Sequence, residues 1–456
     1  SISVYPVLIQ DAPRLPYRGV HLFLPARDQI DYTKRLIRYL LVPMKLNTIF
    51  LELAGGMLYE RRPEIAETWA RNNALAGAGQ APPVPHGSVA AGGWLTQAEV
   101  KDLVEYARSY GIEVIPEIQS LSHVQYLTMT YPEIAEQPVE GGYPDSYCPL
   151  HPKSHEIVFD MIDEVVELLG PLRYLHMGHD EVYTMAECPR CAGKTRDELF
   201  AHDVQTIHDY LASKGVGMMI WADMLQPWQR YACQDAASLI PKDVVLLEFV
   251  WYFRTWADTE DLLLENGFQV IFGNCYSSHF TRYERRTSKQ GVIGTQISVW
   301  SATDEETMGR LGKLYDLAYS ANTAWSATCQ EELRWTFDRR IADLLPGIRA
   351  RLSGRPLALP PRAPGSAGRG TPLDLGEFFT APRRDTSGVR GGYDLTTLPI
   401  GKTTLRGLPV QFGEGVILVE SQDARTRVTP EAITVPIPAR AEALVFAHCC
   451  TAMARI

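Results

Sequence analysis

Eight short runs of almost unbroken apolar residues, separated by stretches of helical period, constrain this chain more than any other feature. The runs are 19–24 (GVHLFL), 46–53 (LNTIFLEL), 113–118 (EVIPEI), 174–178 (YLHMG), 218–224 (MMIWADM), 244–250 (VVLLEFV), 269–275 (QVIFGNC) and 294–300 (GTQISVW). A strand with one wet face alternates polar and apolar residues. These runs do not alternate, so both faces must be buried, as in a parallel sheet covered by helices. The segments between them carry the helices. Residues 154–169 set Ile157, Met161, Val165 and Leu168 on one stripe, and Gly170-Pro171 stops them. Residues 96–110 open with Thr96 and have Glu99 three positions on, a capping box. Residues 197–213 and 303–320 read similarly. Eight such units are the number that closes a barrel. The open doubly wound sheet is the alternative, but no glycine-rich turn follows the first run. The expected fold class is therefore α/β, a (β/α)8 TIM barrel.

The remaining chain fits around that barrel. Residues 1–17 read as a lead-in, 18–353 as the barrel, 354–372 as a linker rich in Pro, Gly and Arg, and 373–456 as a small β-rich domain. That last domain is short for a complete sandwich, so a truncated one is expected. The segment 54–95, rich in Gly, Ala and Pro, reads as a long loop at the catalytic face. The 456 residues include 45% hydrophobic and 21% charged side chains and carry a formal net charge of −10. That balance fits a folded protein and disfavours nucleic acid as a partner, since phosphates attract clustered Lys and Arg. No apolar run reaches the roughly 18 residues of a membrane span, so no membrane partner is expected. The oligomeric state is not legible. The chain begins at Ser1 with no signal-like segment, which reads as a processed or trimmed form.

In a barrel of this kind, chemistry gathers at the C-terminal ends of the strands. Here Arg18 opens the first run, Glu52 closes the second, and Glu117 and Gln119 close the third, with His123 just beyond. The fourth runs into His176, His179, Asp180 and Glu181. The fifth carries Trp221 and Asp223, the sixth ends at Glu248 and Trp251, the seventh delivers Tyr276 and the eighth Trp300. Carboxylates ringed by aromatics suit a carbohydrate, because rings stack on sugar C–H surfaces while carboxylates bind hydroxyls or move protons. Adjacent carboxylates also push each other's pKa apart. Blander readings stand beside these. Asp180-Glu181 could open a helix, the tryptophans could be core, Arg18 could be an ion-pair partner, and His179 could simply pack. His123 and His176 read better as buried hydrogen-bonding residues than as direct catalysts. Glu52, Gln119 and Glu248 could bind hydroxyls or belong to a structural polar network.

Over roughly residues 18–326 the chain resembles glycoside hydrolase family 20, the β-N-acetylhexosaminidases. Arg18-Gly19, Lys45-Leu46-Asn47, the segment Gly111–Ile118 (GIEVIPEI) and His176–Glu181 (HMGHDE) are similar to family motifs, in order. Trp221, Trp251, Tyr276 and Trp300 fall at the family's strand ends. The resemblance implies a retaining exo-glycosidase that removes a terminal β-linked GlcNAc or GalNAc without a protein nucleophile. The substrate's own acetamido oxygen would attack the anomeric carbon and form an oxazolinium intermediate. Glu181 would be the acid/base, Asp180 would hold the acetamido N–H and Tyr276 would donate to the acetamido oxygen. Trp221, Trp251 and Trp300 would wall the methyl pocket, and Arg18 would bond outer hydroxyls. No cofactor is implied. The expected partner is the non-reducing end of a glycan. By family analogy an exported protein is expected, with a cytoplasmic one the alternative.

Several positions depart from the family pattern. His179 stands where Gly is usual before the Asp-Glu pair, and Leu51-Glu52-Leu53 where the family has W-H-L. Gln119 and Leu121-Ser122-His123 replace an Asp followed by P-G-H. Ser278 and Ala302 replace acidic residues of Y-x-D and W-x-E. The acetamide machinery is kept while hydroxyl-side positions change, so an altered sugar preference is expected. The alternatives are a glycosidase for a modified or non-acetamido sugar and a non-catalytic carbohydrate-binding barrel.

Eight cysteines are too few for a disulfide scaffold. Cys188-Pro-Arg-Cys191 can be read as half of a structural zinc site completed by Cys148 and a His, as a local disulfide, or as two thiols. A catalytic zinc is disfavoured, because His155-Glu156 lacks the second His of H-E-x-x-H.

Overall fold

A computed structural model of the chain describes residues 11–136, 144–227, 231–248, 258–275, 283–325, 334–354, 375–379, 381–383, 400–405 and 408–416. Eight parallel strands close into a barrel in chain order: β1 (Tyr17–Phe23), β2 (Thr48–Glu52), β3 (Glu113–Ser120), β4 (Tyr174–Gly178), β5 (Gly217–Trp221), β6 (Val245–Glu248), β7 (Val270–Phe272) and β8 (Val292–Ser298). Closure comes from β8 pairing with β1, Tyr17 opposite Gly294 and His21 opposite Ser298. The (β/α)8 barrel expected from the apolar runs is therefore the fold.

The fifth, seventh and eighth runs extend beyond their strands. They overrun because the first loop residues at the C-terminal face are themselves buried: Ala222, Met224, Cys275 and Val299 are within 3% of full burial. An apolar run therefore marks burial, and strand pairing ends before burial does.

The barrel interior is filled by Phe50, Ile115, Met219, Trp221, Val245, Leu247 and Ile271. A larger apolar layer lies between the outer strand faces and the helices. Helix Gln97–Ser109 begins at the anticipated capping box, with Glu99 N–H donating to Thr96 Oγ1 at 3.3 Å and Thr96 N–H to Glu99 Oε2 at 2.7 Å. Helix Pro152–Leu169 buries Ile157, Met161 and Val165 and ends at Gly170. A second capping box, Thr195 with Glu198, starts helix Arg196–Ser213. The segment 303–320, read as one helix, is two, Glu305–Arg310 and Lys313–Trp325. Gly312, in the left-handed region at φ 67°, makes the break between them.

The segment 54–95 is not a bare loop. It holds helix Pro63–Gly77, which buries Ile65, Ala66 and Trp69. Glu164 ties this insertion to the barrel. Its carboxylate accepts the backbone N–H groups of Glu60 and Arg61 and the Gln97 side chain, each at 2.6 Å. Among the described residues, no helix is long and apolar enough to cross a membrane.

The chain divides into two compact units, Ser1–Pro356 and Leu357–Ile456. In the second, Gly401–Leu405 pairs antiparallel with Leu408–Phe412, and Gly415–Val416 with Ala381–Pro382. The linker beyond Gly354 and residues 417–456 of the expected β-rich domain lie outside the described residues.

Replacing Glu164 by Ala removes the shared acceptor of two part-buried backbone N–H groups and the Gln97 amide. The expected cost is about 2–3 kcal/mol of stability, with faster proteolytic cleavage within 54–95. Urea unfolding and limited proteolysis measure both.

Candidate active site

Glu117 stands at the centre of the barrel's upper interior, fully buried. Its Oε1 accepts the Trp221 indole N–H at 2.9 Å and the Gln119 amide at 3.1 Å and lies 3.2 Å from His176 Nδ1. Its Oε2 is 3.0 Å from His21 Nε2. His21 also meets Glu52 Oε2 at 3.4 Å, and Glu52 Oε1 meets His86 Nδ1 at 2.7 Å. Burial works against charge on His21, but Glu117 and then Glu52 outweigh it, so its pKa is pushed up to about 9. Burial likewise opposes ionisation of Glu117, yet the facing histidines hold it well below the ordinary carboxylate value. His21 is thus an imidazolium between two carboxylates at neutral pH.

Above this layer, the chain leaves β4 through a contorted turn. Gly178, His179 and Glu181 have φ values of 69°, 73° and 52°. Left-handed backbone at a non-glycine residue costs of order 1–3 kcal/mol and persists where the surroundings enforce it. Leu121, His123 and Asn274, beyond β3 and β7, share this conformation. The turn at β4 sends successive side chains in different directions. His179 points outward, its Nε2 3.0 Å from Asp203 Oδ2 on helix Arg196–Ser213. Asp180 points inward, its side chain 2% exposed, while that of Glu181 is 26% exposed. Between them His123 Nε2 lies 3.5 Å from Asp180 and 3.6 Å from Glu181, with Asp145 3.3 Å from its other nitrogen. Burial disfavours the Asp180 carboxylate, but His123 prevails and the pKa is lowered. His123 is raised well above its ordinary value against the opposing effect of burial, chiefly by Asp180. Asp223, beyond β5, accepts the Glu181 backbone N–H at 2.8 Å. Burial and then the charge of Asp180 push its pKa well up. Tyr183 borders Glu181 and is 41% exposed, on the open side of the cleft.

The expected site residues divide accordingly. Asp180, Glu181, His123, Gln119 and Trp300 lie at the strand ends around this cleft. Trp300 is half-buried, its ring centroid 4.5 Å from that of His21 and 5.2 Å from that of Trp221, and its indole donates to Asn274 at 3.1 Å. Other assignments need correction. Arg18 is the second residue of β1 and so sits at the opposite end of the barrel. It donates to the carbonyls of Lys45 and Leu15, each at 2.8 Å, and lies over Trp325. It braces the barrel floor and does not reach the cleft. His179 packs on the far side of β4 and is not a sugar ligand. Trp221 is wholly buried beneath Trp300 and holds Glu117, so it supports the cleft from below. Glu52 is fully engaged by the two histidines and belongs to the polar network. Glu248 is likewise closed off by Arg286 at 3.2 Å and by Thr259. Trp251 and Tyr276 lie outside the described residues.

Sequence reasoning missed His21, His86 and Asp145. His21 hides inside an apolar run and His86 inside the insertion. Their only available signal was polarity in otherwise apolar or nondescript surroundings. Two histidine–carboxylate groups at the cleft, His21–Glu52–Glu117 and His86–His123–Asp180, have ligand-type atoms close together, but each is internally charge-paired. A third group, Glu136 with Cys148, Cys188 and Cys191, lies to one side.

A barrel whose fourth strand delivers an Asp-Glu pair into a cleft of His and Trp fits a glycoside hydrolase scaffold. Residues 16–308 match the family model of the glycosyl hydrolase family 20 catalytic domain, and the chain belongs to that family. It is 28% identical to the beta-hexosaminidase of Akkermansia muciniphila over 203 residues, 40% of this chain and 38% of that one. The chain thus spans well under half the length of that relative. It is 24% identical to the beta-N-acetylhexosaminidase of Cellulomonas fimi, over 76% of this chain and 70% of that one. The crystal structure of a Bacteroides fragilis beta-N-acetylhexosaminidase superposes with a TM-score of 0.56 at 20% identity, covering 74% of this chain and 71% of that one, which shows the shared fold. No cofactor is required by this family's chemistry.

The His21 pairing carries a sign for pH. A pKa raised from 6.5 to about 9 on folding gives stability that is complete below pH 6.5 and lost as pH rises through about 9, roughly 3 kcal/mol in all. His123, raised in the same direction, steepens the fall. Unfolding free energies measured across this range should decline, and His21→Asn should flatten the decline.

Proposed function

We propose that the chain is a retaining exo-β-N-acetylhexosaminidase working by substrate assistance. The observation that carries this reading is the unequal setting of two neighbouring carboxylates: Asp180 nearly sealed and held ionised by His123, Glu181 partly open to the cleft. In the first step the acetamido oxygen of the bound sugar attacks the anomeric carbon as the bond to the leaving group breaks. Glu181 gives its proton to the departing oxygen. Asp180 accepts the acetamido N–H and so favours the positive charge that grows on the ring being formed. In the second step water attacks the anomeric carbon, Glu181 takes back a proton, and the acetamide is restored. Two inversions leave the anomeric configuration retained. Trp300 gives a ring face for the sugar. Tyr276 and Trp251 take their family roles here by resemblance alone.

The hydroxyl side supports a narrower reading. His86, His123 and His21 crowd the region beside Glu52 and Asp180, where the family pattern is changed. A hexosaminide modified on O3, O4 or O6 would meet a different lining there from the one the family pattern provides.

Hydrolysis of nitrophenyl β-GlcNAc, β-GalNAc, β-glucoside and β-galactoside tests the proposal. Turnover is expected only for the N-acetylated pair, with inhibition by a thiazoline mimic of the oxazolinium. Glu181→Gln should lose about 10²–10⁴-fold in kcat, and Asp180→Asn a comparable factor. Turnover of the plain glycosides, or activity surviving both substitutions, would place the chemistry elsewhere. Binding without turnover, unaffected by Glu181→Gln, would indicate a carbohydrate-binding barrel.

A further inference from the structure

We infer that Cys148, Cys188, Cys191 and Glu136 form a structural zinc site that staples the loop after β3 to the loop carrying Asp180 and Glu181. Cys148 Sγ is 3.5 Å from both Cys191 Sγ and Cys188 Sγ, and Cys191 Sγ is 3.3 Å from Glu136 Oε2. Zinc binds thiolate at about 2.3 Å and carboxylate oxygen at about 2.0 Å, so a tetrahedral site has S···S edges of about 3.8 Å and S···O edges of about 3.5 Å. The observed edges are within a few tenths of an ångström of these. A disulfide fits the arrangement poorly, because Cys148 is equidistant from its two neighbours and three sulfurs cannot pair off.

The surroundings favour a cation. Glu136 and Cys191 are fully buried and Cys148 is 2% exposed. Among the described residues Glu136 has no basic partner. A buried carboxylate without one costs several kcal/mol. Its orientation is nonetheless fixed: Oε1 accepts the backbone N–H groups of Glu187 at 2.7 Å and Cys188 at 3.2 Å, which leaves Oε2 facing the sulfurs. Such outer hydrogen bonds are what hold a metal ligand in place. The chain between Cys188 and Cys191 is a tight 3-10 turn, with Cys191 N–H donating to Cys188 O at 3.0 Å, so both sulfurs emerge on one side. Zinc would displace the three thiol protons to solvent and bind the thiolates. Sulfur-rich tetrahedral donors select zinc over the hard cations. The fourth ligand is not the histidine expected from the sequence. His151, nearest along the chain to Cys148, caps helix Pro152–Leu169 by accepting the Lys153 N–H at 3.2 Å.

The inference is independent of which sugar is cleaved. The test is elemental analysis of the full chain purified without chelator, followed by removal of metal and reconstitution with Co²⁺. About one zinc per chain is expected, and cobalt should give the intense near-ultraviolet thiolate charge-transfer band of a tetrahedral sulfur site. Cys188→Ser with Cys191→Ser should reduce bound zinc at least tenfold, and Glu136→Gln should weaken retention against a chelator. Metal removal should lower Tm in the wild type and not in the double variant. A folded wild type that holds no zinc and gives no thiolate–cobalt band, with its thiols titrating freely, would overturn the proposal. The cobalt spectrum uses the unmodified chain, so it remains decisive even where a variant fails to fold.

Discussion

A single buried negative charge organises the upper half of this barrel. Glu117 on β3 draws a histidine from β1, another from β4 and an indole from β5 onto its two oxygens. An unpaired carboxylate there would cost several kcal/mol. Each strand that supplies a partner is therefore held in register by electrostatics as well as by backbone pairing. The apolar layer below tolerates exchange of one hydrophobic side chain for another of similar volume. The Glu117 layer does not, because its members are held by hydrogen bonds and charge pairing to that one carboxylate. His21 holds its proton chiefly through Glu117 and then through Glu52 beside it. Trp221 keeps its place under Trp300 through the same carboxylate. The floor of the cleft is thus a plate of paired polar groups, and the residues above it inherit its geometry.

The cleft itself is built from backbone in an uncomfortable conformation. Left-handed residues follow β3, β4 and β7. Their strain is offset by specific anchors. Ser122 donates to the carbonyl of Asp180, Asp223 accepts the N–H of Glu181, and Asp203 holds His179. Asp180 and Glu181 are adjacent in sequence yet meet different surroundings because the turn between β4 and its loop splits their directions.

Much of the barrel is legible in the sequence because burial on both strand faces leaves a simple signature. Strand limits are less so, since buried loop residues such as Met224 and Val299 continue the same signature. The helix at Pro63–Gly77 is hard to see because it is embedded in a stretch rich in Gly, Ala and Pro that reads as loop. At the site, Asp180 and Glu181 are readable from their place after an apolar run. Arg18 is misread because an Arg-Gly pair says nothing of which end of the strand it occupies; its position two residues into β1 decides that. His21, His86 and Glu136 take their meaning from partners tens of residues away, Glu117, Glu52 and Cys191. Only closure of the fold brings those partners together, so no local pattern could announce them.

At position 179 an imidazole takes a place that suits glycine, and the exchange has a lasting effect. The left-handed backbone is the same, but the side chain now fills space between β4 and helix Arg196–Ser213 and binds an aspartate shared with Tyr147 and His155. Positions 179 and 203 are thereby mechanically coupled. A return to glycine would open a hole and abandon one partner of a buried anion, while loss of the anion would leave the imidazole without its anchor. The two side chains therefore act as one brace behind the turn that carries Asp180 and Glu181, and that turn is held from outside the cleft as well as from within.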